Sequence, residues 1–119
     1  VGLNESFLER ELNVGFSGGE RKKMEVAQIF AFKPKLLLLD EIDSGVDVES
    51  LKLIGTTLNS FIRKNKIASI IITHHGEILN YIKAKKAYVM IEGKIVCSSK
   101  PEKILDHIRK WGYKKCELR

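Results

Sequence analysis

The sequence is poor in the residue types that define secreted and membrane proteins. It has only two cysteines, Cys97 and Cys116, and their spacing matches neither a metal site nor a redox motif. We therefore expect both to be free thiols in a reducing compartment. The apolar runs, such as residues 36–39 and 70–72, are far shorter than the roughly 18 residues that a membrane-spanning helix needs. No signal or transit peptide is visible, so the sequence predicts a cytoplasmic protein without membrane insertion.

Aromatic residues are also scarce, at 8% of the sequence, although the formal net charge is +6. Clustered lysine and arginine residues favour nucleic-acid binding because they release counterions from the phosphate backbone. Here the basic residues concentrate at positions 21–23 and in the carboxy-terminal part, without the interleaved aromatic residues of a single-strand binding surface. We therefore expect no nucleic-acid partner, and we interpret the charge as a solvated face or a protein-docking surface.

The sequence has two strand-like runs: residues 36–39 have no polar face, and residues 68–73 are β-branched and apolar. Such runs predict parallel strands that are buried on both faces, with helices above and below the sheet. Residues 48–64, which lie between the runs, repeat apolar side chains at helical spacing and predict a core-facing helix. The alternation of strand and helix predicts an α/β fold of three layers with parallel core strands.

The last third of the chain predicts a hairpin followed by a helix. Residues 87–91 and 94–98 are strand-like and flank Glu92-Gly93, which is typical of a compact hairpin turn. Pro101 then opens an amphipathic helix. We expect its apolar residues to pack on the sheet: Ile104, Leu105, Ile108 and Trp111.

An earlier helix is predicted to begin at Ser17 and to end before Pro34. Ser17 suits an N-cap and Glu20 its capping-box partner. Gly18 and Gly19 lie in the first turn, where glycine costs helix stability, so the close approach of a ligand explains them better than capping alone. Free backbone N–H groups and the helix dipole make such a helix start a site for an anion.

Acidic residues follow the first apolar run, and a histidine follows the second. Asp40 and Glu41 end the first run and His74 ends the second, so a parallel sheet places all three at its carboxyl edge. Carboxylates at this edge suit a metal ion and an activated water. The competing interpretation of the acids is a helix-capping turn, which leaves Glu41 and Asp43 unexplained. For His74 the competing interpretation is a structural role, and His75 stays unassigned.

Taken in order, these motifs resemble those of ATP-binding cassette (ABC) ATPases. Residues 17–20, Ser-Gly-Gly-Glu, resemble the signature motif, and residues 36–40 resemble the Walker B strand. Glu41 matches the catalytic glutamate that follows this strand, residues 44–47 resemble the D-loop, and His74 matches the switch histidine. The resemblance implies a P-loop NTPase half-domain that binds ATP and Mg²⁺.

The resemblance also assigns roles to individual residues. It implies that Asp40 holds Mg²⁺ and that Glu41 and His74 are catalytic. It implies nucleotide contacts, partly across a dimer, for a further set: Ser17, Gly18, Gly19, Glu20 and Asp47. Residues 12–20 and 40–47 are most similar to the SufC type of ABC ATPase, which serves iron–sulfur cluster assembly. The partners implied are a second ATPase subunit, in an ATP-dependent dimer, and scaffold subunits similar to SufB and SufD.

A phosphate loop of the form Gly-x-x-x-x-Gly-Lys-Ser/Thr is missing from the sequence. A complete ABC ATPase carries this loop upstream of its signature motif. We therefore interpret residues 1–119 as the carboxy-terminal part of one ABC ATPase domain, inactive in isolation. Three alternatives stay open: the ATPase subunit of a transporter, a chromosome-maintenance type of ATPase, and a non-catalytic interaction module.

Overall fold

The computed structural model describes residues 2–9, 11 and 14–113. The chain divides into two units, Val1–Ile82 and Lys83–Arg119. The first unit begins with a 3-10 helix (Glu5–Glu9). It continues with α1 (Gly18–Phe32), β1 (Leu36–Asp40), α2 (Val48–Asn65) and β2 (Ala68–Ile72), and it ends with a second 3-10 helix (Glu77–Asn80). The second unit contains β3 (Ala87–Ile91), β4 (Lys94–Ser99) and α3 (Pro101–Trp111). None of the described helices is long and apolar enough to span a membrane.

Strands β1 and β2 pair in parallel, with Leu36 opposite Ala68 and Asp40 opposite Ile72. Helix α2 connects them, as parallel strands require a crossover connection. The predicted α/β arrangement with a parallel pair is therefore confirmed. Because both strands run the same way, the residues that follow Asp40 and Ile72 emerge at one edge of the sheet.

The core of the first unit lies between the helices and one face of this sheet. Helix α2 contributes Leu51, Ile54 and Leu58, which are at most 2% exposed. Fully burying side chains of this kind stabilises the fold by about 1.5–3 kcal/mol each. Leu37 and Leu39 of β1 join them, together with further buried residues: Val26, Ile42, Ile67, Ile78 and Ile82.

The opposite face of the sheet is open among the residues that the structure describes. Leu36 and Leu38 are 54% and 66% exposed, and Ile70 and Ile72 are 58% and 54% exposed. The expectation that both strands are buried on both faces is therefore wrong for these residues. The strands are apolar on both faces, but the described helices cover only the face that carries Leu37 and Leu39.

Helix α2 lies very close to the second 3-10 helix at Gly55. A Cβ atom at Gly55 would lie 2.5 Å from Cβ of Tyr81 and 3.2 Å from Cδ1 of Ile78. Real Cβ atoms do not approach other carbon atoms so closely. Gly55 therefore sets the distance between the helix and the segment that follows β2.

The second unit is a hairpin packed on a helix. Strands β3 and β4 are antiparallel, and the turn residues Glu92 and Gly93 both have positive φ, at 49° and 76°. Positive φ at both central residues is the requirement of a type I′ turn, so the predicted hairpin is confirmed. Val89, Cys97 and Ile104 form the core of the unit, with Ile108 packed against it.

Two expectations for this unit are wrong. Trp111, the last residue of α3, is 61% exposed, because the core cluster reaches only as far along the helix as Ile108. Cys97 is 6% exposed and disulfide-bonded, so it is not the free thiol expected from the cysteine spacing. Cys116 lies outside the described residues, as do Leu12 and Asn13 of the SufC-like stretch.

Candidate functional site

The first part of the site is the amino terminus of α1. Ser17 is the N-cap, and its Oγ accepts a hydrogen bond of 3.2 Å from the backbone N–H of Glu20. The carboxylate of Glu20 in turn accepts a hydrogen bond of 2.7 Å from the backbone N–H of Ser17. The predicted capping box is therefore confirmed. The backbone N–H groups of Gly18 and Gly19 lie in the first turn, where helical N–H groups have no intrahelical partner.

Gly18 and Gly19 pack against the segment between β1 and α2. A Cβ atom at Gly18 would lie 3.5 Å from the carbonyl oxygen of Gly45, and one at Gly19 would lie 3.7 Å from Oδ2 of Asp47. These are ordinary van der Waals distances, so packing within the chain does not require glycine at either position. The absence of such a requirement favours the interpretation that the two glycines serve the approach of a ligand.

Asp47 caps the second long helix, α2. Its carboxylate accepts a hydrogen bond of 2.8 Å from the backbone N–H of Ser50. This bond, followed by a side-chain hydrogen bond from Ser50, holds the pKa of Asp47 below its ordinary value. Asp47 therefore has a structural role that the sequence analysis did not assign, and it stays charged next to the start of α1.

Asp40 is the last residue of β1 and lies on the exposed face of the sheet, in alternation with Leu37 and Leu39. The described residues contain no cluster of three or more potential metal ligands. Mg²⁺ does not need one, because it is commonly held by one or two carboxylates together with water and phosphate oxygens. Asp40, an exposed oxygen ligand at a strand end, therefore fits a partner of Mg²⁺.

Beside Asp40, an open groove of about 380 Å³ runs between α1 and β1. Its lining is mainly apolar and includes Ile29, Phe32, Leu36 and Leu38. The lining also includes Lys22, Gln28 and Asp40 itself. None of residues 17–20 lines this groove, so it is separate from the start of α1.

Glu41 and His74 meet at the carboxyl edge of the parallel pair. His74 Nε2 lies 2.7 Å from Glu41 Oε1, and the two side chains are 73% and 43% exposed. Glu41 has φ of 47°, in the left-handed region, and its N–H donates to the carbonyl of Ile72 at 2.9 Å. The left-handed residue turns the chain out of the strand direction, so Asp40 and Glu41 present their carboxylates differently. The predicted juxtaposition of acid and histidine is therefore confirmed.

A second link joins the same two loops, and sequence analysis missed it. Asp43 is 8% exposed, and its Oδ2 accepts a hydrogen bond of 2.6 Å from Oγ1 of Thr73. Thr73 Oγ1 in turn accepts a hydrogen bond of 2.9 Å from the backbone N–H of Gly76. The only signal in the sequence was that Asp43 follows an apolar residue, Ile42, and that the capping interpretation gave Asp43 no role.

No family model matches the chain. It is 43% identical over 113 residues to a probable ATP-dependent transporter of Synechocystis, an alignment that covers 95% of this chain and 43% of the relative. It is 40% identical over 113 residues to the iron–sulfur cluster assembly protein SufC of Plasmodium falciparum, covering 95% of this chain and 32% of that protein. A solved structure, the nucleotide-free ATP-binding cassette of an ABC transporter, matches this chain with a TM-score of 0.69 and 25% identity. The match covers 88% of this chain and 41% of the cassette.

The chain belongs to the ABC ATPases. A second solved cassette, in its ADP conformation, matches 82% of this chain with a TM-score of 0.60 and 27% identity. The chain spans less than half the length of each of these relatives and cassettes. The parallel strands and the carboxy-terminal helix of this ABC ATPase chain are thus part of a P-loop NTPase fold.

Proposed function

We propose that the chain is the catalytic and signature part of an ABC ATPase that hydrolyses ATP. The contact of 2.7 Å between Glu41 and His74 carries this proposal. The contact places two functional groups side by side at one sheet edge. One is a carboxylate that can accept a proton, and the other is an imidazole that can bind a phosphate oxygen. Asp40 lies next to them in sequence, where it would hold Mg²⁺ through its water shell. When bound, Mg²⁺ would neutralise charge on the transferring phosphoryl group.

In this proposal Glu41 polarises the attacking water and His74 senses the γ-phosphate. Glu41 is 43% exposed, so its carboxylate can reach water while Oε1 stays 2.7 Å from Nε2 of His74. Holding the base in one orientation reduces the entropy that the reaction must lose at the transition state. The pair therefore serves positioning as well as proton transfer.

The start of α1 would act on the nucleotide of an opposing ATPase subunit. Ser17, Gly18 and Gly19 offer a hydroxyl and backbone N–H groups at the positive end of a helix, which suits the charge of a transferring phosphoryl group. Glu20 and Asp47 would order this end of the helix and the subunit seam. Each subunit would therefore contribute to two sites in an ATP-dependent dimer.

We further propose that this ATPase is of the SufC type and supports iron–sulfur cluster assembly on SufB- and SufD-like scaffold subunits. Residues 12–20 and 40–47 and the 40% identity to the SufC of Plasmodium falciparum support this proposal. A transporter ATPase is the second candidate, because the Synechocystis and Streptococcus pyogenes relatives carry transporter names. Co-purification separates them: scaffold subunits support the first candidate, and a membrane permease supports the second.

A chimera tests the ATPase proposal directly. In it, this chain replaces the matching segment of the Synechocystis relative, which makes up 43% of that protein. We expect the chimera to hydrolyse ATP, and we expect the isolated chain to hydrolyse none, because phosphoryl transfer depends on a phosphate cradle that these residues do not contain. A folded chimera without hydrolysis would contradict the proposal. Micromolar binding of Mg-ATP by the isolated chain in equilibrium dialysis would contradict the expected inactivity of the isolated chain.

A further inference from the structure

We propose that Asp43 is a positioning residue for the ATPase site. Through Thr73, it fixes the loop that presents His74 to Glu41. This inference rests on the proposed function, because the orientation of His74 matters only if Glu41 and His74 act on a nucleotide. It assigns a role to the second acid after β1, to which the motif resemblance gave none.

The geometry joins the two loops at two points. Asp43 lies in the loop that follows β1, and Thr73 directly follows β2; their side chains bond at 2.6 Å. The other connection is the contact of 2.7 Å between Glu41 and His74. Because residues 41 and 43 lie on one loop and residues 73 and 74 on the other, the part-buried bond limits the movement of the exposed pair.

The Thr73 hydroxyl has a second hydrogen bond that fixes the far end of the His74 loop. It accepts from the backbone N–H of Gly76, which is buried and has φ of 74°. The bond to Asp43 uses the hydroxyl hydrogen, and the bond from Gly76 uses an oxygen lone pair. One threonine thus ties both ends of the segment 73–76 to a carboxylate on the neighbouring loop.

Burial distinguishes Asp43 from the other acids at this edge. Asp43 is 8% exposed, whereas Asp40 and Asp47 are not buried. A buried carboxylate costs free energy unless it is hydrogen-bonded, and an apolar residue would fill the space without that cost. A carboxylate at this place is better explained by the geometry that it imposes on Thr73 than by packing.

Nuclear magnetic resonance on the full 119-residue chain tests this inference without nucleotide. The first measurement is the change in the His74 ring signals caused by Glu41→Gln, which reports the contact. The second is hydrogen exchange at the Gly76 amide. In Asp43→Ala, we expect the His74 response to disappear and Gly76 exchange to accelerate on the order of tenfold.

Conservative variants separate positioning from simple loss of stability. Asp43→Asn keeps an oxygen that accepts from Thr73, and Thr73→Ser keeps the hydroxyl, so both should retain the His74 response. Thr73→Val keeps the shape of the side chain without the hydroxyl and should lose the His74 response. It tests the same bond if Asp43→Ala fails to fold. Ile54→Val, a fully buried core change, is the matched stability control and should leave the response intact.

Two outcomes would overturn the inference. One is an Asp43→Ala or Thr73→Val chain that keeps the His74 response and changes Gly76 exchange no more than Ile54→Val does. The other is an unmodified chain in which Glu41→Gln leaves the His74 ring signals unchanged, because the contact is then not formed in solution.

Kinetics in the chimera test the consequence for catalysis. Asp43→Ala should lower kcat roughly 10- to 100-fold and leave KM for ATP unchanged, since misplacing a catalytic group costs rate and not ground-state binding. An unchanged kcat would refute the positioning role. A chimera that never hydrolyses ATP contradicts the proposed function alone, because the resonance experiment still decides whether Asp43 positions His74.

Discussion

The backbone of Glu41 is left-handed, with φ of 47°, at the residue whose Oε1 contacts Nε2 of His74 at 2.7 Å. A left-handed residue other than glycine costs on the order of 1–3 kcal/mol, while an exposed pair of this kind contributes about 0–1 kcal/mol. The contact therefore does not offset the strain by itself. Backbone bonds from the N–H of Glu41 to Ile72 and from the N–H of Ser44 to Glu41 hold the conformation. Strain that is held in this way is typical of functional positions.

Glu41→Gln should abolish turnover in the chimera while ATP-dependent dimer formation is preserved. The amide keeps the shape of the side chain but cannot accept the proton, and loss of a positioned base costs roughly 10²–10⁴-fold in rate. Single-turnover hydrolysis measures the effect, with the exposed Lys64→Ala as control. Hydrolysis at the rate of the unmodified chimera would contradict the role of Glu41.

In the chimera, Ser17→Asp should leave helix α1 stable but prevent ATP-dependent dimerisation. Aspartate is as good an N-cap as serine, whereas Ser17→Ala should cost about 0.5–2 kcal/mol of stability. A carboxylate at the proposed phosphate site would repel the nucleotide of the other subunit. Urea unfolding and nucleotide-dependent sedimentation separate the two effects.

Normal dimerisation of Ser17→Asp with ATP would mean that Ser17 is a helix cap and nothing more. Ser17→Arg provides a second variant with a different defect, because it is bulky where Gly18 and Gly19 allow close approach. It should also prevent dimerisation, since an obstruction acts whatever its charge.

The stability of the first unit should depend on pH through Asp47. The pKa of this carboxyl is lowered in the folded state by the backbone hydrogen bond from Ser50, so the unfolded chain binds the proton more readily. Its contribution is fully present above the ordinary carboxyl range and is lost as the pH falls through the lowered pKa. Asp47→Asn should cap α2 at any pH. In urea unfolding, its stability should therefore fall less than that of the unmodified chain as the pH drops through the lowered pKa.

The exposed Asp106→Asn in α3 is the control, and its profile should follow that of the unmodified chain. Asp47→Asn and unmodified profiles of the same shape would show that the bond to Ser50 adds nothing to the pH dependence.

Gly55→Ala should destabilise the first unit by about 1–3 kcal/mol. In an unconstrained helix the same change would stabilise by about 1 kcal/mol, but here the new Cβ meets Cβ of Tyr81 at 2.5 Å. Denaturant unfolding measures the difference, with the exposed Ser60→Ala on the same helix as the control. A Gly55→Ala chain of equal or greater stability would mean that the contact with Tyr81 yields easily.

The chain should associate with itself through the open face of its parallel pair. Leu36, Leu38, Ile70 and Ile72 are all more than half exposed and lie on neighbouring strands, and contiguous apolar patches promote association. Leu38→Lys should therefore lower the apparent mass in sedimentation, whereas Val48→Lys, on an equally exposed residue of α2, should not. A stable, highly soluble monomer of the unmodified chain would refute this expectation.

Local features of the fold could be predicted from the sequence because they depend on neighbouring residues. The capping box needs only Ser17 and Glu20 at the right spacing. The hairpin needs Glu92 and Gly93 between two strand-like runs. The shared edge of Glu41 and His74 followed from one further rule, that parallel strands end on the same side.

Features that depend on distant residues were not predictable in the same way. The run that contains Leu38 is apolar, but apolarity does not say whether another element covers it. The bond between Asp43 and Thr73 joins residues whose types are common in turns and strands, and nothing in either position selects the other. The exposure of Trp111 depends on where the hairpin core ends, which its own helix does not specify.

Gly18 lies beside Gly45, and Gly19 lies beside Asp47, so the amino termini of α1 and α2 are side by side. Helix macrodipoles whose positive ends adjoin repel one another. Each of these ends carries an acid of its own, Glu20 on α1 and Asp47 on α2. The two carboxylates thus act as internal counterions for an electrically polarised pair of helices, and an incoming phosphate would have to compete with them or share their donors.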